Sequence, residues 1–292
     1  MTAPVLGEIM GPRARRRVLV LSIAAGAALA GFIVLALLRL DANDQLDADR
    51  WRPFTNRAVQ DFFLDGAKNT VRAAVTAMVI ALAAGGLIGL ARLSRSLPPR
   101  LLAAVYVQFF RGLPLYVLIL FCGFGLPRLD VRFGTFWFLV MALSIYNSAV
   151  LAEIFRAGIL SLDRGQSEAA YAIGLGYWPT MAYVVVPQAV RRMVPALVSQ
   201  LVTLLKDTSL GGLIFYDELL RRARINAEFT QRTLPSLVVV AVIYIIMNAA
   251  LSRLASWLEA RQSRRYGASR IEVDGVEDLA VQSAMSAAGK KR

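Results

Sequence analysis

The stretch AAVTAMVIALAAGGLIGLA, residues 73–91, decides the fold class because it places 19 consecutive uncharged residues between two arginines. At about 1.5 Å rise per residue, a helix of this length crosses the roughly 30 Å hydrocarbon core of a bilayer. Three more runs of this kind, with 21, 20 and 20 residues, lie at Val18–Leu38, Phe133–Ala152 and Thr233–Ser252. We therefore predict an all-α, polytopic membrane helical bundle.

The composition agrees with a membrane protein and excludes several kinds of site. Hydrophobic residues make up 57% of the 292-residue chain and charged residues only 18%, against about 25% in an average soluble domain. The chain has no His, which excludes His-based catalytic triads and His-ligated metals. The single Cys122 excludes an internal disulfide and is predicted to be a small buried apolar residue. We expect no catalytic residues and no metal site.

The net charge of +13 has a simple interpretation in a membrane protein. The arginines flank the apolar runs, where they would face anionic phospholipid headgroups. They do not form the continuous basic stripe that is typical of a nucleic-acid-binding surface. We therefore expect membrane lipid, and no nucleic acid, as a partner.

Two further apolar segments are interrupted. Leu101–Phe110 and Gly112–Pro127 are separated by Arg111, and the 13-residue run Met193–Leu205 is separated from Thr208–Tyr216 by two charged residues. We predict about six crossings, of which two are broken, and broken helices at membrane depth tend to line a pathway. The alternative is short helices extended by snorkelling Arg and Lys side chains.

The distribution of Lys and Arg predicts the orientation. The segments 13–17 and 92–100 are basic and the region 253–292 holds eight basic residues, whereas 41–66 holds six acids and three arginines. Both termini are therefore expected in the cytoplasm. Four arginines between 221 and 232 disagree with this orientation, partly offset by Asp217, Glu218 and Glu228.

The connection from Glu153 to about Tyr183 is a long cytoplasmic loop in this topology. Ser167 is predicted to cap a helix that starts at Glu168, where the acid suits the positive end of the helix dipole, and Gly174 or Gly176 is predicted to end it. A second short helix is expected from Tyr177. Such a helix pair suits either a docking surface for a soluble partner or an interfacial amphipathic hairpin.

The loop resembles a known motif. Glu168-Ala169-Ala170, followed by Gly174 and by Val184-Val185-Val186-Pro187, is similar to the EAA loop, E-A-A-x3-G-x9-I-x-L-P, of ABC importer membrane subunits. Val replaces Ile at 184 and Leu at 186, which keeps both positions apolar.

Four other segments resemble the polar-amino-acid branch of that family. They are Phe110–Leu115 (FRGLPL), Ala152–Ile159 (AEIFRAGI), Gly165-Gln166 and Leu205–Leu210 (LKDTSL). The resemblance covers roughly Phe62–Leu258. A six-span chain with an additional first helix is similar to the permeases of glutamate-type importers.

This resemblance implies a domain organisation. We expect a basic cytoplasmic N-terminus at 1–17, an extra first transmembrane helix at 18–40 and an acidic extracytoplasmic loop at 41–61. A type I ABC importer-like transmembrane domain would follow at 62–258, with the EAA loop at about 165–187, and then a cytoplasmic, largely disordered tail at 259–292. A cleaved signal peptide is the less favoured interpretation of the first segment, because its apolar core is longer than the usual 7–15 residues.

The resemblance also implies the function. Two such subunits, alike or different, would form the translocation pathway in the bacterial cell membrane. An extracytoplasmic substrate-binding protein would deliver a polar or acidic amino acid such as glutamate. An ATP-binding ABC subunit would bind the ATP, and this chain would contain no cofactor. The residues implied in ATPase coupling are Glu168, Ala169, Ala170, Gly174 and Pro187.

The chain carries no G-x-x-x-x-G-K-[ST] phosphate loop, so it is not expected to be the ATPase itself. An ATP-independent secondary amino acid carrier is the alternative; it would show an inverted internal repeat, and none is evident. A membrane-embedded enzyme would need a cluster of catalytic side chains, and only Glu153 and Asp207 are acids near apolar spans.

Polar side chains within the apolar segments are candidates for the substrate pathway. Each has a plain alternative, because Asn147 or Gln200 could simply join helices and Lys206 and Asp207 could pair with each other. Glu153 and Arg156 are predicted to form an internal ion pair. The candidates are Ser144, Asn147, Ser148, Gln200, Thr203, Lys206 and Asp207, with Arg111 and Asn248 as further possibilities.

Overall fold

The computed structural model describes residues 12–267, which contain helices and turns and, within that range, no strand. Prolines and glycines mark many of the helix boundaries, in keeping with their effects on the backbone. The α-helices are α1 (Pro12–Asp41), α2 (Ala48–Trp51), α3 (Arg57–Arg92), α4 (Leu97–Gly112), α5 (Leu115–Leu120), α6 (Thr135–Leu160), α7 (Arg164–Ala172), α8 (Tyr177–Thr180), α9 (Val186–Asp207), α10 (Leu219–Thr230) and α11 (Thr233–Gly267).

The four long apolar runs all form helices that are long enough to cross a membrane. The apolar helical segments are Arg15–Asp41, Arg57–Arg92, Thr135–Leu160 and Thr233–Leu254. A fifth candidate span is the pair of α4 and Leu115–Leu129, which is bent by 97°. The bend follows Arg111, at Leu113 and Pro114, so the predicted interruption of this segment is confirmed.

The other interrupted segment ends where predicted but begins earlier. Met193–Leu205 lies inside α9, which starts at Val186 and ends at Asp207, at the predicted interruption. The 22 residues of α9 extend about 33 Å and include Arg191 and Arg192, as the alternative of a short apolar run extended through flanking arginines predicts. The helix changes to a 3-10 turn at Thr208–Ile214. By length and apolar composition the described helices account for four or five spans, so α9 remains a prediction as the sixth.

Residues up to Gln60 form a compact unit of their own. Within this unit none of the apolar window of α1 is buried, as expected of a helix surrounded by lipid. The acidic segment that follows is partly helical and not simply a loop, since α2 and a 3-10 turn at Arg52–Thr55 lie within it. The indole N–H of Trp51 donates to the carbonyl oxygen of Gln45 at 3.1 Å and closes this segment.

The second unit begins at Asp61 and is built around α6. This helix contacts α4, α5 and α9, and 61% of its apolar window is buried. Its side chains Leu139, Leu143 and Leu151 are fully buried. A helix that is apolar on all sides is typical of the centre of a membrane bundle.

Small residues allow α3 to lie close to α6. A Cβ at Gly85 would lie only 2.8 Å from Cβ of Leu151 and 2.9 Å from the carbonyl oxygen of Ser148. Four alanines of α3 are fully buried on the same side of the helix: Ala73, Ala74, Ala77 and Ala81. Close backbone approach through small residues is the usual means by which membrane helices associate.

The C-terminal helix extends beyond its apolar run. The uncharged run ends at Ser252, whereas α11 continues to Gly267. The rest of the predicted tail, 268–292, and the first eleven residues lie outside the described residues.

Candidate functional site

Asp163, and not Ser167, caps the short helix α7. Its carboxylate Oδ1 accepts a hydrogen bond from the backbone N–H of Gly165 at 2.8 Å. The hydroxyl of Ser167 instead donates to the carbonyl oxygen of Arg164 at 2.9 Å, within the first turn. The prediction of Ser167 as the cap was wrong because Asp163, four residues earlier, offers the same capping chemistry and lengthens the helix.

The position of Glu168 changes accordingly. It lies in the second turn of α7, so the expected interaction with the helix N-terminus is not made. Its side chain is exposed and forms no hydrogen bond or ion pair with any residue between 12 and 267. Glu168 is therefore a free negative charge on the surface of the helix.

The end of α7 is fixed by Gly174, one of the two glycines predicted to end it. Gly174 has φ +87°, a left-handed conformation that side chains with a Cβ rarely adopt. Its N–H donates to the carbonyl oxygen of Tyr171 at 3.0 Å, and the N–H of Leu175 donates to that of Ala170 at 3.1 Å. These two bonds form a Schellman motif, which satisfies the last carbonyls of the helix and sets the direction of the chain after it.

The motif residues Glu168, Ala169 and Ala170 lie on two different faces of α7. Ala170 is buried against its own chain, whereas Ala169 is exposed beside Glu168. Large apolar side chains are exposed on the same loop, with Ile173 at 79%, Trp178 at 74% and Tyr183 at 78%. Apolar and aromatic side chains presented in this way mark an interaction surface.

The loop is also held to the neighbouring long helices. The side-chain amide of Gln188 in α9 donates to that of Gln166 in α7 at 3.0 Å. Arg192 donates from Nη1 to the carbonyl oxygen of Ser161, just beyond α6, at 2.7 Å. The loop therefore contacts α9 at two points, one before α7 and one in its first turn.

Pro187 is the second residue of α9. It follows a π-helical turn at Met181–Val185, which connects α8 to α9 without interrupting the helical path. Proline lacks an N–H and its ring clashes with the preceding turn, so a widened turn before it removes the conflict.

Glu153 forms a cluster of three charges with Arg92 and Arg156, at the end of the bundle where the loop begins. Its Oε1 accepts from Nη2 of Arg156 at 3.1 Å, which confirms the predicted internal pair. Its Oε2 also pairs with Arg92, the last residue of α3, a contact that the sequence did not indicate. Glu153 therefore connects α3 to α6 where both reach the loop side.

Four candidate pathway residues join helices inside the bundle, and one pair of them links α6 to α9. Gln200 donates from Nε2 to Oδ1 of the fully buried Asn147 at 2.6 Å. Ser144 donates to the carbonyl oxygen of Ala77 in α3 at 3.3 Å, and Ser148 bonds with the hydroxyl of Tyr106 in α4 at 2.8 Å. These contacts fit the joining of helices, and each residue's role toward a substrate stays a prediction.

The remaining candidates are more scattered. Thr203 is exposed and donates to the carbonyl oxygen of Ser199 in its own helix. Lys206 and Asp207 do not form a salt bridge with each other or with another described residue. Arg111 is exposed at the end of α4, and Asn248 donates to the carbonyl oxygen of Tyr244 within α11.

A buried acid on the opposite side of the bundle was not predicted as a site. Glu218 is fully buried and caps α10, because its two oxygens accept from the N–H groups of Leu220 at 2.7 Å and Arg221 at 2.5 Å. Tyr244 donates its hydroxyl to the same carboxylate at 3.2 Å. Burial raises the pKa of Glu218 to about 7, although these hydrogen bonds oppose the shift.

Two of the four arginines that disagreed with the charge distribution are held by local contacts. Arg221 pairs with Asp217 at 2.7 Å, and Arg222 donates to the carbonyl oxygen of Phe62 at 2.8 Å. The guanidinium of Arg222 also lies 4.7 Å from the ring centroid of Phe62. The ion pair with Asp217 offsets one of the four positive charges, whereas the neutral partners of Arg222 leave its charge in place.

The fold and the site define a class of protein: membrane proteins with a helical domain that presents a short exposed helix between two of its long helices. The family model for the inner membrane component of binding-protein-dependent transport systems matches residues 77–264. The chain belongs to this family of membrane-embedded transport permeases.

Similar proteins are found among bacterial permeases. The glutamate transport system permease protein GluD of Corynebacterium glutamicum is 39% identical over 229 residues, which cover 77% of this chain and 84% of that protein. The probable glutamine ABC transporter permease protein GlnP of Bacillus subtilis is 38% identical, covering 69% of this chain and 94% of that protein.

The fold agrees with solved structures. A crystal structure of an amino acid ABC transporter with histidines is 33% identical, with a TM-score of 0.68, and the match covers 72% of this chain and 98% of that one. An inward-facing structure of the methionine transporter MetNI is 17% identical with a TM-score of 0.57, over 69% of this chain and 98% of that one, a likeness of fold alone.

Proposed function

We propose that this chain is the permease subunit of an ATP-driven amino acid importer. It forms half of a translocation pathway with a second permease subunit, alike or related. It couples to an ATP-binding subunit through α7, and an extracytoplasmic substrate-binding protein delivers the amino acid. ATP is bound by the partner ATPase.

The exposed surface of α7 carries this proposal. Glu168 has no partner among the described residues, Ala169 offers no bulk, and Ile173 is exposed beyond them. A free carboxylate beside small and apolar side chains suits a groove that supplies a basic group and apolar walls. Desolvating an unpaired charge is costly, so a partner that satisfies Glu168 gains specificity from this single residue.

The connections of α7 support a role in transmitting movement. Its C-terminal end is set by the Schellman motif at Gly174, and its first turn is bonded to α9 through Gln166 and Gln188. The helix α9 is bonded to α6 through Gln200 and Asn147. A displacement of α7 by a closing ATPase would therefore reach the helices that carry the polar side chains of the bundle interior.

The substrate class rests on relatives. The similar proteins are named for the transport of glutamate, glutamine and, in the arginine permease ArtQ of Bacillus subtilis at 33% identity, arginine. We assign a polar amino acid, with glutamate as the first candidate. Its ammonium and carboxylate groups need polar partners at membrane depth, which Ser144, Asn147, Ser148, Gln200 and Thr203 could supply, together with Lys206 and Asp207.

The orientation in the bacterial cell membrane follows from the basic residues. With both termini in the cytoplasm, α7 lies on the cytoplasmic side, where ATP is available, and α10 lies outside. The ion pair of Arg221 with Asp217 offsets one of the four arginines that disagree with this arrangement.

Uptake into reconstituted vesicles tests the proposal. The permease pair and its ATPase are placed in liposomes with the binding protein outside and ATP inside, and uptake of labelled glutamate, glutamine and arginine is compared. We expect uptake that requires ATP hydrolysis and stops with a non-hydrolysable analogue. Uptake driven by an ion gradient in the absence of ATP would establish the secondary-carrier alternative instead.

A further inference from the structure

A groove of about 520 Å³ lies between the turn that joins α3 to α4 and the start of α8. Its walls are mostly apolar, and its volume is in the range of sites that bury small ligands. It is separate from the buried polar side chains of α6 and α9 and from the exposed face of α7. The principal lining residues are Leu87, Leu90, Leu93, Arg95, Trp178 and Met181.

The groove contains one cation that is not neutralised. Arg95 lies with its guanidinium carbon 4.9 Å from the ring centroid of Tyr177, which also lines the groove. Arg95 forms no salt bridge with a residue of the described chain, in contrast to Arg92, which pairs with Glu153. The segment from 92 to 100 contains no acid at all. The charge of Arg95 is therefore available to an anion.

The groove has an apolar end and a charged end in the order that a lipid requires. Leu87 and Leu90 belong to the uncharged run that ends at residue 91, and they are exposed by 70% and 41%. They lie one helical turn apart, so they share one face of α3. Arg95 follows beyond the end of that helix, at the depth of the headgroups, and the exposed Trp178 is of the residue type enriched at this interface.

We propose that this groove is a binding site for an anionic phospholipid. One acyl chain lies against Leu87, Leu90 and Met181, and the phosphate of the headgroup accepts hydrogen bonds from Arg95. Basic pockets beside membrane helices recognise anionic headgroups in this way. Since the groove includes Tyr177 and Trp178, the lipid contacts the segment directly after the Schellman motif of α7.

A soluble anion or an apolar protein segment fits these features less well. A free phosphate would use Arg95 but leave the leucine face exposed to water. A protein segment would need to enter a groove whose inner wall is part of a membrane-crossing run. A phospholipid satisfies both ends with one molecule.

Fluorescence quenching tests the proposal in full-length protein. Trp178 is kept as the single tryptophan by replacing Trp51, Trp137 and Trp257 with Phe, and the protein is placed in nanodiscs. Quenching by phosphatidylglycerol with brominated acyl chains is compared with quenching by phosphatidylcholine carrying the same chains. We expect the anionic lipid to be preferred about fivefold at Trp178, the ratio that one arginine near the surface confers.

Substitutions at two arginines identify the source of the preference. Arg95→Gln is expected to abolish it and Arg95→Lys to retain most of it. Arg100→Gln is the matched control, because Arg100 is exposed nearby, in the first turn of α4, but does not line the groove, and it is expected to leave the preference unchanged.

Equal quenching by the two lipids in the protein with Arg95 intact would overturn the proposal, and so would equal losses in Arg95→Gln and Arg100→Gln. Either result would indicate ordinary contact with the surrounding bilayer. Because the measurement uses neither ATP nor an ATPase, its failure would not be confused with a failure of the proposed transport function.

Discussion

Gln200 of α9 donates a hydrogen bond to Oδ1 of Asn147 on α6 at 2.6 Å, and Asn147 donates its own amide N–H to the carbonyl oxygen of Leu143 at 2.8 Å. The bond joins two helices in the interior of the bundle. In a medium without water, a side chain that loses such a partner is left unsatisfied. The pair therefore fixes the relative position of α6 and α9 and connects the loop side to the polar interior.

A double-mutant cycle measures this bond. Gln200→Leu or Asn147→Leu leaves one buried amide unpaired and should each destabilise the protein by about 1–3 kcal/mol. The double variant should cost less than the sum, with a coupling of about 0.6 kcal/mol, the average for such bonds in membranes. Denaturant unfolding in detergent provides the values. Thr203→Val is the control, because its hydroxyl bonds only within α9.

Strictly additive effects would show that the amides do not depend on each other. The same variants also address transport. If Asn147 serves only to join helices, uptake by the folded Asn147→Leu protein should keep its KM, whereas a substrate contact would raise it.

The left-handed conformation of Gly174 predicts a local stability effect. Gly174→Ala places a Cβ at φ +87° and should destabilise the loop by about 1 kcal/mol. Gly176→Ala is the matched control, because Gly176 has φ −74° and its added Cβ would meet only Pro179 at an ordinary 3.9 Å. Hydrogen exchange of the α7 amides should increase in Gly174→Ala alone. Unchanged hydrogen exchange in Gly174→Ala would show that the Schellman motif does not contribute to the stability of α7.

The ion pairs of Glu153 predict a further difference. Glu153→Gln removes the negative charge that Arg92 and Arg156 share and replaces one carboxylate oxygen with an NH2 donor, which leaves two cations close together where α3 meets α6. We expect a loss of about 2 kcal/mol in thermal or denaturant unfolding. Arg100→Gln, which replaces an exposed side chain in the first turn of α4, should have almost no effect on stability. Equal stabilities of the two variants would mean that the Glu153 cluster contributes nothing.

Glu218 predicts a pH dependence outside the membrane-spanning segments. Burial raises its pKa from 4.5 to about 7, so the folded state binds this proton more tightly than the unfolded state. Its contribution to stability is then fully present below pH 4.5 and is lost as the pH rises to about 7, a change of about 3 kcal/mol. Glu218→Gln cannot titrate and should lack this component.

The measurement is the difference in unfolding free energy between the unsubstituted protein and Glu218→Gln from pH 4.5 to 8. The difference should fall with rising pH and become constant above about pH 7. A difference that stays the same over this range would contradict the assigned shift.

The sequence predicted the long spans because an apolar run of about 20 residues has one stable arrangement in a bilayer. It also predicted the end of α7, since few residues other than glycine favour a left-handed conformation. It did not predict the start of α7, because Asp163 and Ser167 are both good caps and tertiary context selects between them. The apolar run alone underestimates the length of α9, because the helix includes charged residues such as Arg191 and Arg192 before that run.

Long-range pairs escaped prediction for a different reason. The contact of Arg92 with Glu153 joins residues 61 positions apart, and that of Gln200 with Asn147 joins residues 53 positions apart. Periodicity and local motifs report neighbours along one helix and carry no information on which helices meet. The two π-helical turns, each of which ends two residues before a proline at 127 or 187, could have been sought from those prolines.

Co-purification with the ATP-hydrolysing subunit tests the proposal that α7 is the surface through which an ATPase drives this permease. Unsubstituted protein, Ala169→Trp and the control Gly176→Ala are purified in detergent from cells that also produce the ATPase. We expect the ATPase with the first and third proteins and its loss from Ala169→Trp, because the indole prevents close approach without affecting a buried residue. Retention of the ATPase by folded Ala169→Trp, or its absence from all three proteins, would contradict the claim.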